Sequence, residues 1–147
     1  MVRLAIMMTA RAGAWAWVPG LLLVGLGCGG DLALGVRELA ISPNPAQPGD
    51  TVSFFFWLTV IPAQDYTVIA FIDSTEQVVE DAMEGVDGPV VLPVGAADAL
   101  IARYGVGTHT AYVEVRLKGR DRTARTADVG LELQAAAQPA ARGRGGP

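Results

Sequence analysis

The clearest alternation in the chain is TVSFFFWLTV at 51–60, where Val52, Phe54, Phe56, Leu58 and Val60 fall on one side of an extended strand. Thr51, Ser53, Phe55, Trp57 and Thr59 fall on the other. β-Branched and aromatic residues fill nearly every position, a composition suited to a pleated, half-buried surface. The first side is wholly apolar and is expected to face the core. The second carries Phe55 and Trp57, which must be covered by a neighbouring segment or left exposed as an interface or a membrane-surface contact.

Weaker versions of the pattern recur. Residues 36–41 alternate, with Arg37, Leu39 and Ile41 against Val36, Glu38 and Ala40, and stop at Ser42-Pro43-Asn44-Pro45. Pro43, Pro45 and Pro48 fix φ and remove three backbone donors, so this link is excluded from a central strand. Gly49-Asp50 makes a turn. After a second turn at 61–65, residues 66–73 read as a strand, 76–80 as a short charged edge strand, and 90–94 as another strand following Asp87-Gly88-Pro89. Segment 95–105 suits either a short helix ending at Gly105 or an alternation of Leu100, Ala102 and Tyr104; its alanines and Asp98 favour the helical turn.

Residues 107–117 return to strand, with Ala111, Val113, Val115 and Leu117 inward and Thr110, Tyr112, Glu114 and Arg116 outward. A hairpin loop at 118–122 leads to a strand at 125–134 with Ala127, Val129, Leu131 and Leu133 inward. The remainder, 135–147, has no periodicity and is expected to be a disordered tail.

About seven short strands separated by turn signals, without alternating helices, predict an all-β antiparallel sandwich. The arrangement resembles the immunoglobulin-like domains of bacterial surface proteins, including the cell-adhesion-related group, through Pro48-Gly49-Asp50-Thr51-Val52 and the run GTHTAYVEV at 107–115. The resemblance spans 36–134. The paired cysteines of antibody domains and the asparagine-rich closing strand of the adhesion-related group are absent. What the resemblance implies is a domain that binds or spaces other molecules.

The first 30 residues follow a different pattern. Arg3 and Arg11 precede an apolar segment at 12–26, small residues surround Cys28, and no acidic residue occurs before Asp31, which is the order of a secretory signal. The apolar segment falls short of the roughly 20 residues a spanning helix needs and contains Pro19, Gly20 and Gly25, so a cleavable signal peptide is expected at 1–27. VGLGC at 24–28 resembles the lipobox of bacterial lipoproteins, with Leu26 one place nearer the cysteine than that family's usual leucine. Gly25 and Gly27 also suit an ordinary leader peptidase, which would release a secreted or periplasmic protein. An uncleaved anchor is the third reading.

Cys28 is the only cysteine, so no disulfide closes within the chain, and lipidation would use a thiol otherwise left free or paired between chains. One acyl chain anchors only marginally, whereas the several that lipoproteins carry hold firmly. The resemblance therefore implies a protein held to the envelope membrane by an N-terminal lipid, with a tether at 28–35. Gly29 after the cysteine is not the aspartate of an inner-membrane retention signal, which favours the outer membrane where the host has one.

Eleven Lys and Arg stand against fifteen Asp and Glu; loss of Arg3 and Arg11 with the leader leaves nine against fifteen, a net charge of −6 instead of −4. Such a balance argues against nucleic acid as partner. Asp73, Glu76, Glu80, Asp81, Glu84 and Asp87 form an acidic middle, read as a solvated surface. Arg116, Lys118, Arg120, Arg122 and Arg125 form a basic cluster, a candidate contact for anionic lipid head groups or an acidic partner.

His109 is the only histidine and no Gly-x-Ser-x-Gly elbow occurs, so His109 is read as structural and no catalytic residue is assigned. One histidine and one cysteine do not complete a closed zinc site, and the acidic middle lacks the spacing of an EF-hand loop, so no metal or cofactor is expected. The expectation is a non-catalytic binding or structural module of the cell envelope, with an envelope protein as candidate partner. Its candidate interface residues are Phe55, Trp57, Arg116, Lys118, Arg120 and Arg122. A freely secreted binding protein, a subunit of a surface assembly and, last, an envelope enzyme are the other classes.

Overall fold

A computed structural model describes residues 32–137, and among these the order of elements is β1 (Ala33–Ser42), β2 (Thr51–Ile61), β3 (Tyr66–Ile72), β4 (Thr75–Ala82), β5 (Val86–Ala96), α1 (Ala97–Tyr104), β6 (Gly107–Leu117), β7 (Thr123–Arg125) and β8 (Val129–Leu133). One antiparallel sheet has the order β1-β2-β5. The other has the order β4-β3-β6, with β7 and β8 pairing in succession along the free edge of β6. The two sheets share one core, to which the first contributes Phe54 and Leu58 and the second Tyr66, Ile72, Val113 and Leu131. The described residues thus form a two-sheet antiparallel β-sandwich with one short helix.

β2 behaves as its alternation predicts: Val52, Phe54, Phe56, Leu58 and Val60 are each at most 3 % exposed. Full burial of side chains this size contributes about 1.5–3 kcal/mol apiece. Ala111, Val113, Val115 and Leu117 of β6 are likewise buried. β5 contains Pro89 and Pro93, which it tolerates as an edge strand with one row of amides unpaired. The ambiguous segment forms α1, and the N–H of Gly105, a residue at φ 86°, donates to Ile101 O at 2.8 Å to close it.

Two strands reverse their alternation midway, and both correct the sequence reading. In β1 the register shifts between Arg37 and Ala40, where Glu38 adopts φ 61°. The irregularity turns the strand over, so Leu34 and Val36 before it and Leu39 and Ile41 after it all meet the core, while Arg37 faces outward. The strand expected at 125–134 is two strands, interrupted at Thr126. The Thr126 N–H donates to Val113 O at 2.9 Å, and its Oγ1 accepts the Val113 N–H at 3.0 Å. Ala127, expected inward, is exposed; Leu131 and Leu133 are buried and Val129 is half-buried.

The proline link crosses from one sheet to the edge of the other. Ala46 lies parallel to Leu133, donating to Glu132 O at 2.8 Å and accepting the Gln134 N–H at 2.9 Å. Asn44 extends this ladder with its side chain: Nδ2 donates to Gly130 O and Oδ1 accepts the Glu132 N–H, both at 2.8 Å. An amide that both donates and accepts can satisfy β8 where neighbouring prolines offer no N–H.

Candidate functional site

The outward side of β2 lies between β1 and β5, and its aromatic residues are only partly covered. Phe55 stands opposite Ala40 and Val91, and Trp57 opposite Arg37 and Pro89. Phe55 is 39 % and Val91 41 % exposed, and Trp57 is half-buried. With Glu38 and Pro89 they line a shallow, open groove of about 180 Å³.

Trp57 is held on an edge and on a face. Its indole N–H donates to Asp87 Oδ1 at 2.8 Å, the Thr59 hydroxyl donates to the same oxygen at 2.9 Å, and the Arg37 guanidinium lies 5.1 Å from the ring centroid. Hydrogen bonds from Trp57 and then Thr59, with the nearby charge of Arg37, hold the Asp87 carboxyl below its ordinary range. Asp87 reaches Trp57 because the register pairs it with Thr59 and so sets it diagonally across from the indole. Sequence reasoning placed Asp87 in the acidic middle instead; only the strand register reveals its partner.

The basic cluster is dispersed. Arg116 lies on the outer face of the second sheet, paired with Glu114 and within 3.9 Å of Glu76. Lys118 Nζ is 2.8 Å from Asp81 Oδ2, and Arg125 pairs with Asp128 while its guanidinium sits 3.6 Å from the Tyr112 ring centroid. At the hairpin tip, Arg122 Nη1 donates to Leu32 O at 3.2 Å, and Arg120 makes no ion pair among the described residues. Of this cluster, Arg120 and Arg122 remain as exposed cations without a carboxylate partner among those residues.

The acidic middle is divided in the same way. Lys118 and Thr67 hydrogen-bond to Asp81 and hold its carboxyl below the ordinary range. Asp73 is lowered by hydrogen bonds from His109 and from the Thr110 N–H. His109 Nδ1 is 2.7 Å from Asp73 Oδ2 and Nε2 is 3.1 Å from Gly105 O, so both contacts are hydrogen bonds only when the ring carries both protons. A ring held this way ties the β3–β4 turn to the end of α1. Among the described residues, no group of three or more His, Cys, Asp or Glu is placed to hold a metal ion.

One buried polar group was invisible to pattern reading. Tyr66 is fully buried, and its hydroxyl has no hydrogen-bond partner among the described residues. It borders a cavity of about 70 Å³ between the edges of β4 and β5, walled by Phe56, Leu58, Val68, Val90 and Leu92. Burial, and then the charge of Glu84, pushes its hydroxyl pKa up.

Cys28, residues 1–27 and tail residues 138–147 lie outside the described residues. Among the described residues no helix is long and apolar enough to cross a membrane. No protein-family model, curated protein or solved structure matches the chain.

Proposed function

We propose that the protein is an exported lipoprotein, anchored through Cys28, whose immunoglobulin-like sandwich is a non-catalytic binding module of the cell envelope. The leader pattern and VGLGC at 24–28 support the anchor, and the outer membrane is its site where the host has one. The strand order supports the immunoglobulin-like reading. First, second and fifth strands form one sheet against third, sixth and last in the other, as in that Greek key, with the fourth strand on the second sheet.

The observation that carries the binding role is the strip of exposed Phe55, Pro89 and Val91 beside the half-buried Trp57. A large aromatic pinned by Asp87 and Arg37 loses little side-chain freedom on association, and a central aromatic in an apolar strip is the usual energetic anchor of a protein interface. The partner is an envelope protein offering an apolar surface of its own.

A photo-crosslinking residue at Phe55 in the host envelope tests the strip. The expected result is one discrete adduct that disappears when Trp57→Ala is added and is not formed from Val79, an exposed position on β4. Equal crosslinking from both positions contradicts the assignment. Gly25 and Gly27 favour a second reading, release by an ordinary leader peptidase as a secreted or periplasmic binding protein, which the mature mass distinguishes.

A further inference from the structure

Three chain reversals and the entry of the chain meet at one pole of the sandwich. Tyr66 pairs with both Ala82 and Leu117, and Ala33 pairs with Ile61. The β2–β3 turn, the β4–β5 turn, the β6–β7 hairpin and the start of β1 therefore share one end. Cross-contacts close it: Lys118 N–H donates to Asp65 O at 2.9 Å, Arg122 reaches Leu32 O, and a Cβ added to Gly85 would stand 3.3 Å from the Ala63 nitrogen. The other pole carries α1, the β3–β4 turn and the link that begins after Ser42.

Two large apolar side chains are exposed at this pole, Met83 in the β4–β5 turn at 75 % and Ile61 at the end of β2 at 45 %. Arg120 and Arg122 project from the adjoining hairpin. Asp65, Glu84 and Asp121 stand in the same three turns, and Lys118 is bound to Asp81, so the charge of the pole is close to balanced. Cys28 precedes Leu32 by four residues, which reach at most about 14 Å when extended. β2 has 11 residues and is about 35 Å long, so a domain standing on its entry pole holds the distal pole well away from the bilayer.

From this convergence we infer that the entry pole is a membrane-contact surface, on which Ile61 and Met83 enter the lipid interface and Arg120 and Arg122 meet the head groups. The inference rests on the lipid anchor at Cys28. The short tether makes the contact intramolecular, so two apolar side chains suffice where a free domain would not bind. Because carboxylates offset the arginines, the contact is carried by the apolar side chains and is insensitive to salt. It sets the groove around Phe55 and Trp57 on the flank of the standing domain, reachable from the side, and turns α1 away from the membrane.

The test uses full-length protein recovered with its lipid from host membranes and placed in phosphatidylcholine vesicles containing brominated lipid. Met83→Cys and Val106→Cys variants each carry an environment-sensitive fluorophore, Val106 being an exposed apolar residue of the distal pole. The expected result is quenching several-fold stronger at position 83 than at 106, unchanged when salt is raised to physiological strength. A fluorophore on Arg120→Cys, read with and without Ile61→Ser, is expected to lose part of its quenching in the double variant. Equal quenching at positions 83 and 106 in a chain that floats with the vesicles overturns the inference alone. A chain that does not float and whose Cys28 thiol reacts with maleimide overturns the anchor and the inference together.

Discussion

Asp87 accepts the indole N–H of Trp57 at 2.8 Å across the β2–β5 pair, and this contact fixes the larger of the two aromatic rings on the outward side of β2. An acidic residue that a charge count assigns to solvent thus presents the candidate interface.

The bond gives the ring a pH dependence with a definite sign. The Asp87 carboxyl is held below its ordinary range, so its contribution is complete above that range and is lost as pH falls through the lowered folded-state value. Asp73 and Asp81 share the sign. Trp57 is the only tryptophan after position 17, so in a chain without the leader its emission reports this site alone. Emission is expected to be constant at neutral pH and to shift on acidification below the aspartate range. Asp87→Ala is expected to show the shifted spectrum already at neutral pH.

Thr126 supports the break between β7 and β8 by giving the buried Val113 N–H its acceptor. Thr126→Val keeps the volume but orphans that donor, at a cost of about 1–3 kcal/mol. Thr126→Ser keeps the hydroxyl and is expected to cost less. Urea unfolding midpoints of the two variants check the order.

Tyr66 is expected to show the reverse. Its hydroxyl is buried without a partner among the described residues, so Tyr66→Phe removes an unsatisfied group while leaving the ring packed. A gain of about 1 kcal/mol is expected in urea unfolding. A loss of similar size would show that water in the adjoining cavity satisfies the hydroxyl.

The sheets were legible where strands keep strict alternation between two neighbours, as in β2 and β6. β1 and the β7–β8 segment were not, because Glu38 at positive φ and the Thr126–Val113 exchange each reverse the inward side midway. The helix was legible from its alanines and Gly105. The candidate surface was half legible. Phe55 and Trp57 stood out, but Asp87, Arg37 and Pro89 join them only through a register that long-range pairing sets. The basic cluster looked continuous because consecutive charges in sequence belong to different faces and different partners once the strand is pleated.

The most direct measurement is the intact mass of the protein from its own host's membrane fraction, beside a Cys28→Ala variant. The expected result is a chain beginning at Cys28 with added acyl mass, which the variant lacks as it moves to the soluble fraction. An unmodified chain recovered from the soluble fraction would contradict the lipoprotein assignment.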